Sequence, residues 1–196
     1  MEEKKRMAVN IAVRCAVDAT VEILGYNGAR PYFRNIGLLD VFENPPDYDW
    51  SPCITSEAYS NLYMDIENII GTNGAKGVWR RIGYLTIKNG IEKGHLFDSY
   101  VSFSKNEKFK KAMELFPVGS GMGRVVDGDN GLAEFDVFDC ELCTGRQEIK
   151  PLCTVVEGLM QCVSDWAFGK NIYRVKEVLC IAKGDDTCYY KLVEAG

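Results

Sequence analysis

Two β-prone runs close this chain and commit its end to an antiparallel hairpin. Tyr173-Arg-Val-Lys-Glu-Val-Leu-Cys-Ile-Ala182 and Thr187-Cys-Tyr-Tyr-Lys-Leu192 flank Lys183-Gly-Asp-Asp186, whose glycine and aspartates suit a reversal. The hairpin brings Cys180 near Cys188, and Glu177 lies on the same first strand, while Cys153 lies upstream on a segment able to fold back against it. Three thiols and a carboxylate suit a soft divalent metal, because zinc favours closed tetrahedral sites of thiolates, imidazoles and carboxylates. Strict alternation places Glu177 and Cys180 on opposite faces of a strand, so their joint use requires a bulge or an irregular strand end between them. The spacing is neither that of a zinc ribbon nor that of a finger. A set of small buried hydrophobes is the other reading, since free cysteine is among the most buried residue types.

The rest of the chain reads as helices first and sheet second. Val9, Val13, Val17 and Val21 recur every fourth residue with Ala12, Ala16 and Leu24 alongside, which predicts a first helix ending before Gly25. Tyr32–Phe42 is apolar and compact, and 43–52 is a proline-rich loop. A second helix has Ser56 as its cap, Tyr59, Leu62, Tyr63, Ile66 and Ile70 as its apolar face, and a stop near Gly71. From Gly74 to Gly94, Val78, Trp79, Ile82, Leu85 and Ile91 keep helical spacing. The glycines there cost up to about 1 kcal/mol each in helicity, and close helix packing would explain them. Asn106–Phe116 predicts one more amphipathic helix, and Arg124–Phe138 a hairpin with a Gly/Asp/Asn turn. Pro151 suits the first turn of a helix whose Val155, Val156, Leu159, Val163 and Trp166 share a face. The order argues an α+β fold, helices packed on an antiparallel sheet, in a single domain over 1–196: a mainly helical part over 1–116, then hairpin, helix and metal-binding hairpin over 117–196.

At 196 residues the chain can bury a core without disulfide staples. Its net charge of -5, with basic residues dispersed among acidic ones, leaves no footprint for nucleic acid. The start Met1-Glu-Glu-Lys-Lys-Arg6 leads into a broken, alanine-rich pattern, so neither a signal core nor a membrane span is expected and the protein is read as cytoplasmic. In that reducing compartment eight cysteines point to metal or redox chemistry.

Pro151-Leu-Cys-Thr-Val-Val-Glu-Gly-Leu-Met160 and Val175-Lys-Glu-Val-Leu-Cys-Ile-Ala-Lys-Gly-Asp-Asp-Thr-Cys-Tyr189 together resemble the 4-vinyl reductase domain family. That pattern is a cysteine opening a helix, then Val-x-Glu-x-x-Cys-x-x-x-Gly-Asp-x-x-Cys and an aromatic. Cys140-Glu-Leu-Cys143-Thr-Gly-Arg146 is similar to an element in a subset of free-standing members. The match is specific from about Phe138 to Leu192. The resemblance implies a fold shared in outline with haem-based nitric oxide sensors and vesicle-tethering subunits, and a tendency to pair as a homodimer. By analogy with the sensory domains of phenol-responsive activators, it implies zinc held by Cys153, Glu177, Cys180 and Cys188.

Other constellations carry alternatives. Cys140 and Cys143 read as a redox pair, a metal clip or chance; with Cys153 and one of Cys180 or Cys188 they would supply four thiolates to an iron-sulfur cluster. Gly119-Ser-Gly-Met-Gly123 lacks the strand before and helix after that a dinucleotide fingerprint needs, and reads as a connector. His95, the only histidine, excludes a two-histidine centre and reads as a surface residue, whereas Cys15 and Cys162 read as packing residues. Among the aromatics, Trp79, Phe135, Phe138 and Trp166 are candidates to line an apolar pocket. Two functions follow. The first is a domain that binds or senses a small apolar molecule, hydrocarbon or tetrapyrrole-like, with a structural metal, no catalytic residue and a protein partner to relay any signal. The second is an iron-sulfur-dependent reductase or accessory factor acting on a tetrapyrrole vinyl group, since reduction needs an electron donor and no flavin or nicotinamide motif is apparent.

Overall fold

The computed structural model describes residues 6–120, 123–140, 142–143, 145–147 and 153–196. Pro151, Glu141, Thr144 and the centre of the Gly119–Gly123 connector lie outside the described residues. Elements follow in the order β1 (Met7–Val9), α1 (Asn10–Asn35), α2 (Leu39–Glu43), β2 (Pro52–Thr55), α3 (Ser56–Glu92), α4 (Lys105–Met113), α5 (Leu115–Ser120), β3 (Arg124–Asp127), β4 (Ala133–Val137), α6 (Thr154–Phe168), β5 (Tyr173–Leu179) and β6 (Cys188–Glu194). The architecture is α+β, as the order of sequence patterns predicts.

Both long helices are broken where the sequence places glycine. Gly25 takes φ 66°, ψ 163° within α1, and Gly71 takes φ 72°, ψ 161° within α3, a region where a Cβ is strained. The valine ladder of α1 is buried at Val13 and Val17, and its second half buries Tyr32 and Phe33. In α3, Tyr59, Leu62, Tyr63 and Ile66 are buried, whereas Ile70, next to the break, is half exposed. The α3 cap is Thr55, not Ser56: the Thr55 side chain accepts from the Ala58 N–H at 3.2 Å, and Ser56 is the first helical residue. The expected helix over Asn106–Phe116 is two. A capping box of Ser104 and Glu107 opens α4 one residue earlier, and α5 starts anew at Leu115.

Helix α6 lies directly on the second half of α3. A Cβ on Gly83 would sit 2.1 Å from the Val155 carbonyl oxygen, and one on Gly158 would sit 2.0 Å from that of Arg80. The two backbones therefore meet where each helix has no side chain. Tyr84 donates to Asp165 at 3.0 Å and Arg80 pairs with Glu157 at 3.0 Å on either side of this seam.

The main sheet is antiparallel in the order β3-β4-β6-β5. Its core face carries Phe135, Val137, Val175, Tyr190 and Leu192 against the helices. Its other face carries a polar ladder, in which Tyr189 donates to Glu134 at 2.6 Å and Arg124 pairs with Asp136 at 2.9 Å. The short pair β1 and β2 was not foreseen; three residues with a register shift are too few to show a period.

Candidate functional site

The closing hairpin departs from regular pairing between Glu177 and Leu179. Glu177 faces Tyr190 and Leu179 faces Tyr189, so three residues of β5 span two of β6. This bulge turns Glu177 inward, Leu179 outward and Cys180 inward again. The strand ends at Leu179 rather than Ala182, and a 3-10 turn over Ile181–Lys183 follows, with Gly184 at φ 95°. In that turn the Cys180 N–H donates to Asp185 at 2.7 Å and the Ile181 N–H donates to the Cys188 sulfur at 3.4 Å.

Five thiols converge beneath this turn. Cys188 lies 3.6 Å from Cys143, Cys143 lies 3.9 Å from Cys180, and Cys140 lies 3.9 Å from Cys153, sulfur to sulfur. They form two overlapping groups, Cys143 with Glu177, Cys180 and Cys188, and Cys140 with Cys143 and Cys153; within each, the donor atoms all lie within 4.8 Å of one another. The sequence-derived set thus meets in space at Glu177, Cys180 and Cys188, while Cys143 completes that group and Cys153 groups instead with Cys140 and Cys143. The turn that places Cys143 is local, its N–H donating to the Cys140 carbonyl at 2.9 Å.

The electrostatics of the cluster are those of crowded, buried acids. Glu177 is 5% exposed, and burial first, then the Cys180 charge, pushes its carboxyl up to about 8. Its Oε1 lies 3.0 Å from the Tyr190 hydroxyl, while its Oε2 is buried with no hydrogen-bond partner among the described residues. Cys140 donates to Cys153 at 3.9 Å, and the crowded sulfurs shift one another in opposite directions, Cys140 down beside Cys143, Cys153 and Cys188, and Cys143 and Cys188 up. Without a positive charge one thiolate forms at the expense of its neighbours. A divalent ion lets several thiolates coexist and gives the orphaned Oε2 a partner, so the donor set fits a soft metal.

Beside the thiols lies an apolar cavity of about 120 Å³. Its wall takes Ile11 and Cys15 from α1, Tyr59 and Tyr63 from α3, Phe116 from α5, Phe135 and Val137 from β4, and Leu159 from α6, together with Cys140 and Cys153. Tyr63 donates to the Tyr59 hydroxyl at 3.1 Å, a polar pair in an otherwise greasy wall. Of the four aromatics picked from sequence, Phe135 is on this wall. Trp79 is packed in the core with its indole N–H donating to the Tyr63 carbonyl, Trp166 packs on Phe97, and Phe138 is 57% exposed. The wall residues Tyr59 and Tyr63 did carry a signal, as part of the apolar face of α3, but that face alone does not tell core from cavity. His95 is exposed and lies 3.0 Å from Asp98, remote in character from the site.

No protein-family model matches the chain, and no curated protein matches it in sequence. Solved structures share its fold. The phenol-responsive sensory domain of the transcription activator PoxR, crystallised with phenol, superposes with a TM-score of 0.53 at 16% identity, over 72% of this chain and 75% of that one. A point variant of the Tt H-NOX protein gives 0.56 at 14% identity over 96% of each chain. The H-NOX protein from S. oneidensis in the Fe(II)NO ligation state gives 0.54 at 9% identity over 92% of this chain and 99% of that one. Among the described residues no helix is long and apolar enough to cross a membrane.

Proposed function

We propose that this chain is a small-molecule binding or sensory domain of the 4-vinyl reductase type, which holds one apolar molecule against a metal-fastened wall. The cavity carries this reading. An engineered apolar cavity of about 150 Å³ stays dry and takes up benzene, so a space of about 120 Å³ suits a single ring or a short hydrocarbon. A tetrapyrrole would need several times that volume, and the one histidine, which could otherwise hold a haem iron, faces solvent. The likeness to a domain bound to phenol supports the same ligand size.

The metal's part is structural. Zinc–sulfur bonds of about 2.3 Å in a tetrahedron set sulfur atoms roughly 3.8 Å apart, and the spacings of 3.6 and 3.9 Å around Cys143 agree with that. An iron-sulfur cluster spreads its thiolates wider than a single ion does, which weighs against the reductase alternative. Cys143, Glu177, Cys180 and Cys188 would hold the ion, tying the β5–β6 hairpin to the segment after β4 and so fixing the cavity's floor.

Metal analysis of anaerobically purified protein tests this, together with thermal unfolding in the presence of toluene or phenol. A colourless protein with zinc, whose melting temperature rises with either compound, is the expected result. Brown protein with iron, or no metal and no shift, refutes it. Cys180→Ser should lose metal and melt lower by on the order of 10 °C, since a structural ion contributes several kcal/mol and each is worth about 2–4 °C at this size.

A further inference from the structure

The cysteine cluster holds more donors than one ion uses. With Cys143, Glu177, Cys180 and Cys188 around one ion, Cys140 and Cys153 remain, 3.9 Å apart and both within 4.8 Å of the Cys143 sulfur. Both are almost fully buried. They also differ from the other thiols of the cluster in one respect: both belong to the wall of the apolar cavity, whereas Cys143, Cys180 and Cys188 do not.

We infer that Cys140, Cys143 and Cys153 form a second soft-metal site, joined through Cys143 to the closed site and open to the apolar cavity, where its ion binds the sulfur of a small apolar thiol. The inference rests on the binding function proposed above and deepens it. Three protein ligands and one open position are the arrangement by which zinc receives an exogenous group, whereas four close the shell. The closed set has its fourth ligand in Glu177; the second set has no carboxylate grouped with it among the described residues, and the side flanked by its two wall thiols is the cavity. Charge also balances. A second divalent ion replaces the protons of Cys140 and Cys153, so its two positive charges meet two new thiolates and the buried cluster gains no net charge. A thiolate can bridge two such ions, and Cys143 is the sulfur common to both groups. The ligand class follows from softness and size: sulfur is the donor an ion held by thiolates prefers, and the cavity admits about one ring. Binding transfers the ligand's thiol proton to water as its sulfur joins the ion; no oxidant or reductant is needed.

Zinc stoichiometry of the full chain is the first readout. Wild type should hold two ions, and Cys140→Ser/Cys153→Ser should hold one. Should that variant fail to fold, cadmium-113 resonance of cadmium-loaded wild type gives the same count, two thiolate-shifted lines. The second readout compares benzenethiol with benzene on cobalt-substituted protein. Benzenethiol should bind wild type at least tenfold more tightly and shift the cobalt absorption, while the double variant binds the two alike. One ion in wild type, or benzenethiol binding without a change in the cobalt spectrum, overturns the second site and leaves the closed site and cavity standing. No ion at all overturns both.

Discussion

At the scale of single residues, one buried and one half-buried acid show how neighbours decide charge. Glu177 sits with no cation within hydrogen-bond reach among the described residues and is pushed up, whereas Asp18 is held below its ordinary 3.8. Burial raises Asp18, but hydrogen bonds from Tyr48 at 2.6 Å and Lys93 at 2.9 Å outweigh it. A carboxyl whose folded pKa lies below its unfolded one contributes stability above the unfolded value and loses it as pH falls through the folded one. Asp18→Asn should therefore cost about 1–2 kcal/mol at pH 7, discounted because the group still touches solvent, and cost less at pH 3, below the ordinary 3.8, than at pH 7. Urea unfolding of both proteins at the two pH values checks this; a gap that stays constant with pH would contradict it. The thiol site was legible to a similar depth. Spacing demanded a bulge or an irregular strand end between Glu177 and Cys180 for their joint use, and a bulge lies there. Which upstream sulfur lies beside them was not legible, because Cys140 and Cys143 lie on a segment without periodicity, where a tight local turn sets their distances.

Elements were legible where period and punctuation agree. The valines of α1 and the aromatic face of α3 named their helices, and Gly25 and Gly71 marked the breaks. What sequence could not show is that the chain resumes helix after each glycine in the same run, or that Glu114 parts α4 from α5, because those joints are decided by packing rather than propensity. The seam between α3 and α6 is the strongest such case. Helix propensity favours alanine over glycine by up to about 1 kcal/mol, yet a methyl at Gly83 or Gly158 would overlap a backbone carbonyl that cannot rotate away. Gly83→Ala and Gly158→Ala should each destabilise by about 3 kcal/mol, as the helices separate and the α6 end of the cavity wall moves with them. Gly77→Ala, in the same helix with open space at its Cβ, should be neutral or stabilise by about 0.5 kcal/mol. Denaturant midpoints of the three variants test the point, and equal losses at all three positions would mean that close approach is not what the glycines provide.

In the whole molecule, the cavity exists because five elements far apart in sequence meet around it, which is why its lining could not be read from any one of them. Ala12 on α1, Tyr59 on α3, Phe116 on α5, Phe135 on β4 and Leu159 on α6 come together at one space. On the proposed function, this arrangement separates ligand binding from folding. Ala12→Leu adds three carbons into that space, and the gain of about 0.8 kcal/mol per buried methylene opposes an overpacking cost of about 1–3 kcal/mol, so the variant should keep wild-type stability to within about 1 kcal/mol. Wild type saturated with toluene at about a hundred times its dissociation constant should gain about 2.7 kcal/mol, seen as a rise of roughly 5–10 °C. The filled variant should show no such rise while keeping the ion proposed at Cys143, Glu177, Cys180 and Cys188, because Ala12 lies on the cavity wall and those thiols do not. A toluene shift that survives in Ala12→Leu would place ligand binding elsewhere on the molecule, and a loss of metal with the shift would mean that cavity and thiols form one inseparable unit.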